Sequence, residues 1–384
     1  MTTASVPFLD LSRAFKPLRN EVDEAIALVL DSMGFILGAQ GRALEEDCAR
    51  RVGAAGAAGV ASGTDALILS YRALDLVAGD EVITSPFSFF ASAGAIIQAG
   101  GRPRFADIDP VTFNLDPQAA RAAIGPATRA LCPVHLYGQT ADMQPLMAAA
   151  ADRGLSVVED AAQAIGAGQD GRQAGALGDA AAFSFYPTKN LGGIGDGGLV
   201  TSTSNDFVEK VRLLRHHGQS DAYRHTLVGT NSRLDEIQAA VLRVKLDHLD
   251  DWTEARRRAA ATLSRLLLAS GVAVSSEGTL GGADLALPVE KGGNHHVYNL
   301  FTVRARRRDD LKAYLGESGI GCGVYYPLPL HLQPCFSFLG YQEGAFPQAE
   351  AASREVLSLP LFPGISHEEL ERVAATVAGF YGVK

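Results

Sequence analysis

The stretch AAAFSFYPTKNLGGIGDGGLVTST, residues 180–203, decides the architecture. AAAFSFY and GGLVTST read as strands, and the glycine-rich segment between them carries no helical pattern. Upstream the pattern differs. From residue 57, short apolar runs alternate with helical stretches: AAGVA precedes TDALILSYRAL, EVIT precedes FASAGAIIQAG, and RPRFADI precedes PQAARAAI. RALCPVHL with DMQPLMAAAADR, and then LSVVED, continue the series. Such alternation predicts βα units, a largely parallel sheet and helices on both faces. Residues 180–203 mark the place where two strands follow one another with no helix between them.

Outward from this core, PLRNEVDEAIALVLDS (17–32) has the spacing of an amphipathic helix, and a further helix is expected from about residue 204. The segment 234–269 is a long helical pattern, with a bend allowed, of the kind that joins domains. Beyond it, strands near 296–304 and 321–326 and helices near 309–317 and 366–379 predict a smaller α+β unit. A chain of 384 residues exceeds one ordinary core. The expectation is an α/β protein with a large domain at 1–250 and a small C-terminal domain at 251–384.

The composition, 47% hydrophobic and 20% charged, is that of an ordinary globular protein. A net charge of −9 argues against a general nucleic-acid or membrane surface. Cys48, Cys132, Cys322 and Cys335 lie far apart without ligand spacing and read as reduced, mostly buried thiols. The histidine pairs at 216–217 and 295–296 also lack ligand spacing, so no metal is expected. With no secretion signal and no long apolar run, a cytoplasmic protein is expected.

One residue of the opening stretch asks for a chemical explanation. The chain has seven lysines against 27 arginines, and Lys189 is the only lysine between Lys16 and Lys210. A site needing only positive charge would be expected to use arginine here. GIGDGG contains G-x-G, but a strand follows it, so the geometry of a dinucleotide site is missing. A Walker loop fails as well, because Lys189 precedes the glycines. On position alone, Lys189 would be a surface lysine.

Ligands of a parallel sheet sit beyond the carboxyl ends of its strands, and two more features fall there. In VASGTDAL (60–67) a strand runs through Ser62 and Gly63 into a helix whose first amides can bind a phosphate. In VVEDAAQAIG (157–166) Asp160 ends an apolar strand, with Gln163 able to reach the same ligand. Alone, each reads as a capped helix start. Together with Lys189 they are the parts needed to hold pyridoxal phosphate: a phosphate turn, a carboxylate for the pyridinium nitrogen, and an amine for a Schiff base. Arginine cannot do the last, since it does not deprotonate at working pH.

The order of PFLDL, SGTDAL, SPFSFFAS, FADIDPVTFNLDP, PVHLYGQTADM, VEDAAQAIGA, FSFYPTKNLGGIGDGG, LRHHG, NSRLDEIQAA and GVYYPLPLHLQP resembles the DegT/StrS group of sugar aminotransferases through nearly the whole chain. The resemblance implies a type I aminotransferase fold, a pyridoxal 5′-phosphate cofactor and a homodimer with shared active sites. It makes Lys189 the Schiff-base lysine, Asp160 the pyridinium partner and Gln163 the contact to the ring hydroxyl. Gly63, Thr64 and Ser184 become the phosphate site, Phe89 the stacking ring, and Asn231 the residue reaching the neighbouring subunit's phosphate. Tyr186, Arg224, His225 and His331 are the candidates for substrate contact, although His331 reads equally as a surface loop histidine. Ile165, Thr230 and Tyr325 depart from the frequent histidine, tyrosine and histidine of relatives, which bears on sugar choice.

The resemblance further implies amine transfer from an amino acid, usually L-glutamate, to a nucleotide-linked keto sugar. Retention of lysine at 189 favours transamination over the dehydrase chemistry of relatives with histidine there. The YPTKN form resembles enzymes acting at carbon 3 of deoxyhexoses, with carbon 4 the alternative. The glycines of 192–198 are expected to leave room for cofactor and sugar. Two other classes compete with this reading. A glycosyltransferase would use the D-x-D of ADIDP (106–110), which also reads as a strand end with a Pro turn. A cofactor-binding regulator finds no DNA-binding extension or basic charge.

Overall fold

The computed structural model describes residues 5–383. The alternating stretches form a seven-stranded sheet of β1 (Gly56–Val60), β2 (Glu81–Thr84), β3 (Arg102–Phe105), β4 (Thr128–Cys132), β5 (Ser156–Asp160), β6 (Ala180–Ser184) and β7 (Gly198–Ser202). Their order is β3-β2-β4-β5-β6-β7-β1. β2 to β6 run parallel, whereas β7 is antiparallel to both β6 and β1. The register of β6 on β7 pairs Ala180 with Ser202 and Ser184 with Gly198, so the opening stretch is a hairpin.

Successive side chains of a strand point to opposite faces, and the two faces carry separate cores. Val82, Val158, Ala182 and Val200 pack under helices Gly63–Ala73 and Ala91–Gln98. Ile83, Leu131 and Val157 pack under helices Pro117–Ala123 and Met143–Ala151. Ala181 and Leu199 share that second face with helices Ala39–Val52 and Glu236–Leu246. A further core lies in the C-terminal part. Strands Val274–Ser275, Leu285–Ala286, Phe301–Ala305 and Val356–Leu359 form a sheet there. Helices Leu249–Ala269, Arg308–Glu317 and His367–Phe380 pack on it, and Val6 joins them.

Two expectations change. The helical pattern 234–269 is two helices, Glu236–Leu246 and Leu249–Ala269, interrupted where the His248 amide bonds back to the Lys245 carbonyl (3.2 Å). Residues 321–326 do not form a strand; only Gly323 bridges to Ser358. That segment packs through its aromatic rings instead. Tyr325 stacks on Phe8 at 5.8 Å, and Tyr326 meets Phe87 edge-on at 6.3 Å. Of the cysteines, Cys48 and Cys132 are buried, while Cys335 is exposed. Among the described residues, no helix is long and apolar enough to cross a membrane.

The end of β5 is fixed by Glu159, which is fully buried. Its carboxylate accepts the amides of Gly175 (2.9 Å), Leu177 (2.9 Å) and Gly178 (2.8 Å), and lies 2.8 Å from His135 Nε2. The Ala141 amide donates to His135 Nδ1 (3.1 Å), which assigns the ring hydrogen to Nε2 and the bond to Glu159. Removing this carboxylate strands four donors in the core. Glu159→Ala is expected to cost about 3 kcal/mol or more, read as a lowered midpoint in denaturant unfolding. An unchanged midpoint would contradict the assignment.

Candidate active site

β5 and β6 end side by side, with Asp160 opposite Ala182. Because Asp160 follows Glu159, its side chain leaves the other face of the sheet. It is buried, and Ser92 Oγ donates to Oδ2 at 2.6 Å. Ser88 Oγ lies 2.7 Å from Ser92 Oγ, so the hydroxyls form a relay, Ser88 donating to Ser92 and Ser92 to Asp160. The Ala162 amide donates to Oδ1 at 3.2 Å. A carboxylate has about four acceptor sites, so Asp160 keeps capacity for a cationic donor.

The turn after β6 carries Lys189. Its amide bonds to the Tyr186 carbonyl (2.9 Å), and the hairpin is tied by the Gly193 amide on the Phe185 carbonyl (2.7 Å). Burial pushes the Lys189 amine down to about 8, and the charge of Asp160 partly opposes that shift. No carboxylate forms an ion pair with Lys189 among the described residues. Lys189 lines two cavities. One, of about 370 Å³, is lined by Gln163, Tyr325, Tyr326 and Asn299. The other, of about 320 Å³, is lined by Asn190, Lys245, Trp252 and Arg256.

Gln163 is held at both ends: its Oε1 accepts the Tyr137 amide (2.7 Å) and its Nε2 donates to the Tyr326 hydroxyl (3.1 Å). Burial, helped by the charge of Asp160, pushes the Tyr326 hydroxyl upward, so it stays a neutral donor. Helix Gly63–Ala73 begins with Ser62 Oγ accepting the Asp65 amide (3.1 Å), which leaves the first amides of Gly63 and Thr64 without intrahelical partners. A Cβ at Gly63 would lie 2.7 Å from Ser184 Cβ and 3.1 Å from its Cα, so only glycine lets the helix start meet the end of β6. Ser184 Oγ accepts the Tyr186 amide (3.3 Å), and its own hydrogen is left to donate.

The remaining candidates are more scattered. Phe89 is 55% exposed with its ring 6.3 Å from that of Tyr326. Asn231 is exposed, and its neighbour Ser232 ties the segment to the phosphate turn through Asp65 (2.9 Å). Tyr186 is exposed, as are Arg224 and His225 on a small hairpin where His225 Nδ1 meets the His217 carbonyl (3.0 Å). None of these five lines either cavity at Lys189. His331 is corrected as a surface histidine: it is 2% exposed, 3.1 Å from Glu350, with its ring 4.8 Å from Phe346. Ile165 is buried in the core.

The glycines of 192–198 are corrected too. Atoms of the protein itself occupy the places their side chains would take. A Cβ at Gly192 would lie 2.4 Å from the Pro187 carbonyl, and one at Gly198 2.3 Å from that of Ser62. At Gly193 and Gly195 it would lie 2.7 Å from the Gln238 amide group. Sequence reading also missed Ser88, Ser92, Tyr137 and Tyr326, which hold Asp160 and Gln163. Ser88 precedes helix Ala91–Gln98 while Ser92 lies on it, so no helical spacing pairs them in the sequence.

Residues 17–378 match the DegT/DnrJ/EryC1/StrS aminotransferase family. The chain is 49% identical to a pleiotropic regulatory protein of Geobacillus stearothermophilus, over 98% of this chain and 99% of that one. It is 43% identical to a UDP-N-acetyl-3-dehydro-alpha-D-glucosamine 3-aminotransferase of Acidithiobacillus ferrooxidans, over 97% of each. It is 44% identical to a dTDP-3-amino-3,4,6-trideoxy-alpha-D-glucose transaminase of Streptomyces venezuelae, over 98% and 96%. The crystal structure of S. venezuelae DesV in complex with a ketimine intermediate superposes with a TM-score of 0.93 at 43% identity, covering 99% of both chains.

Competitive acetylation of the protein freed of carbonyl ligands should show the Lys189 amine becoming reactive with a midpoint near pH 8. Because Asp160 raises that value, Asp160→Asn should move the midpoint lower still. A Lys189 midpoint at the ordinary lysine value would contradict the burial described.

Proposed function

The chain belongs to the DegT/DnrJ/EryC1/StrS aminotransferase family, and from that premise we propose that it moves an amino group from L-glutamate to carbon 3 of a nucleoside-diphosphate-linked keto sugar. The observation that carries the reading is half-buried Lys189, its amine lowered by desolvation to about 8 on a turn beside the Asp160 strand end. Support for carbon 3 comes from the names of the relatives 43% and 44% identical to this chain.

Pyridoxal 5′-phosphate is the cofactor; when bound, it carries the amino group between donor and acceptor and takes up electrons from the donor's α-carbon. The residues present fit it. The Gly63–Ser184 contact forms a cradle that a Cβ would fill, with the amides of Gly63 and Thr64 and the Ser184 hydroxyl available to an anion. Asp160, with its unused acceptor sites, would hold the ring nitrogen in its protonated form. Gln163 would meet the ring hydroxyl and Phe89 would cover the ring face. Lys189 would hold the cofactor, and its amine would take the donor's α-proton in the first half-reaction and return a proton in the second. An amine near pH 8 can do both at neutral pH, because both protonation states are populated.

The protein works as a homodimer in the cytoplasm, with Asn231 of one subunit approaching the other's phosphate site. Support for the dimer comes from exposed Phe35, Ile36 and Ile194, all tied to the N-terminal turn of helix Glu236–Leu246. The domain boundary lies near residue 250. Leu249 belongs to the large core, whereas Leu263 and Leu267 of the same helix belong to the small one. A ligand-sensing reading draws on the name of the relative 49% identical to this chain, and it would bind cofactor without turnover.

Holoenzyme mixed with glutamate and a 3-keto nucleotide sugar should release 3-amino product, identified by NMR. A 4-amino product from the 4-keto isomer alone would move the assignment to carbon 4, and cofactor binding without any product would favour the sensor. Lys189→Ala and Lys189→Arg should each lower turnover by about 10³-fold or more, since arginine keeps charge but cannot exchange a proton. Near-normal turnover in either variant would overturn the mechanism.

A further inference from the structure

The second cavity at Lys189 holds charge that no ion pair among the described residues balances. Arg256, on helix Leu249–Ala269, is 5% exposed, and no carboxylate pairs with it among the described residues. Among the described residues its only hydrogen bond is a long one from Nη1 to the Leu361 carbonyl (3.4 Å), and its Nε is buried without a partner there. Lys245, on helix Glu236–Leu246, lines the same cavity and, among the described residues, donates only to the Gly192 carbonyl. Asp10 is the only carboxylate among the lining residues, and it is already occupied by Ser12 (2.9 and 2.7 Å) and Arg13 (3.2 Å). Burial pushes the Arg256 guanidinium down to about 10 and the Lys245 amine down to about 8, as expected of cations without counter-charge.

A buried arginine without a partner is costly, and an anionic ligand would remove that cost. The walls around the two cations are mostly apolar, with Leu9, Leu11, Phe15, Ile194 and Trp252 among them. The volume, about 320 Å³, is at the lower end for small-molecule sites. An aliphatic chain bearing carboxylates matches such walls better than a diphosphate, and the phosphate cradle at Gly63 is built from other residues. Lys189 is itself one of the residues lining this cavity.

We propose that this cavity binds the amino donor, with Arg256 and Lys245 taking a carboxylate of a short aliphatic dicarboxylic amino acid beside Lys189. The inference rests on the aminotransferase reading and adds the donor's binding residues to it. Occupation of the cavity by the donor would also place a ligand against Trp252, the only tryptophan in the chain.

Trp252 supplies the readout. Holoenzyme is titrated with glutarate, which has the carboxylates of glutamate but no amine to transfer. The expected result is a saturable change in tryptophan emission, with glutarate competing against L-glutamate in the donor half-reaction followed by cofactor absorbance. Lys245→Gln should weaken glutarate at least tenfold. Arg256→Lys should raise the donor KM at least tenfold while the KM for keto sugar moves less than twofold. Uncharged glutaramide should give no signal. Inorganic pyrophosphate, tested in parallel, should neither change the emission nor compete. The proposal is overturned if glutarate competes without changing Trp252 emission, if emission changes without competition, or if pyrophosphate alone produces the response. The wild-type titration needs no keto sugar, so a failure of the sugar assignment leaves it readable, and it decides the question even if the Arg256 variant does not fold.

Discussion

Two successive carboxylates close strand β5, and burying both is the constraint on which the site depends. Alternation along the strand sends Glu159 to one face and Asp160 to the other. Glu159 is saturated by three amides and His135, so it spends its acceptor capacity on the fold. Among the described residues, Asp160 receives only the Ser92 hydroxyl and the Ala162 amide. The first carboxylate therefore fixes the strand end, and the second is left able to bind a cation there. Ser92 sits on helix Ala91–Gln98, which packs on the same face as Asp160, so the relay follows from the layer arrangement.

The lysine is governed by the same balance of burial against charge. Desolvation lowers the Lys189 amine, and Asp160 prevents it from falling further. The result is an amine that exchanges protons near neutrality. The hairpin that presents it is tight because its glycines admit the Pro187 and Ser62 carbonyls and the Gln238 side chain at distances no Cβ would allow. Those glycines therefore set where the lysine stands by close packing of the protein on itself.

Much of this was legible in the sequence. The alternation before residue 180 and the two adjacent strands after it correspond to the five parallel strands and the antiparallel return of β7. Lys189, Asp160 and SGTDAL stood out because their residue types are expensive or unusual at strand ends, and the structure brings the ends of β5 and β6 together. What was not legible depends on contacts between distant segments. Gln238 filling Gly193 and Gly195, His331 turned inward to Glu350, and Arg256 meeting Lys245 at one cavity leave no local pattern. The segment 321–326 misled for a different reason. Its aromatic and β-branched residues suit a strand, but here they pack on Phe8 and Phe87 instead of extending a ladder.

Two lysines of this chain, Lys189 and Lys245, are pushed by burial to about 8, and a reactive amine alone does not distinguish them. What distinguishes them is placement beside Asp160, Gln163 and the phosphate cradle. Borohydride reduction of the holoenzyme, followed by peptide mass spectrometry, tests that placement most directly. The account predicts the reduced cofactor on Lys189 and on no other lysine; attachment at Lys245, or at neither, would contradict it.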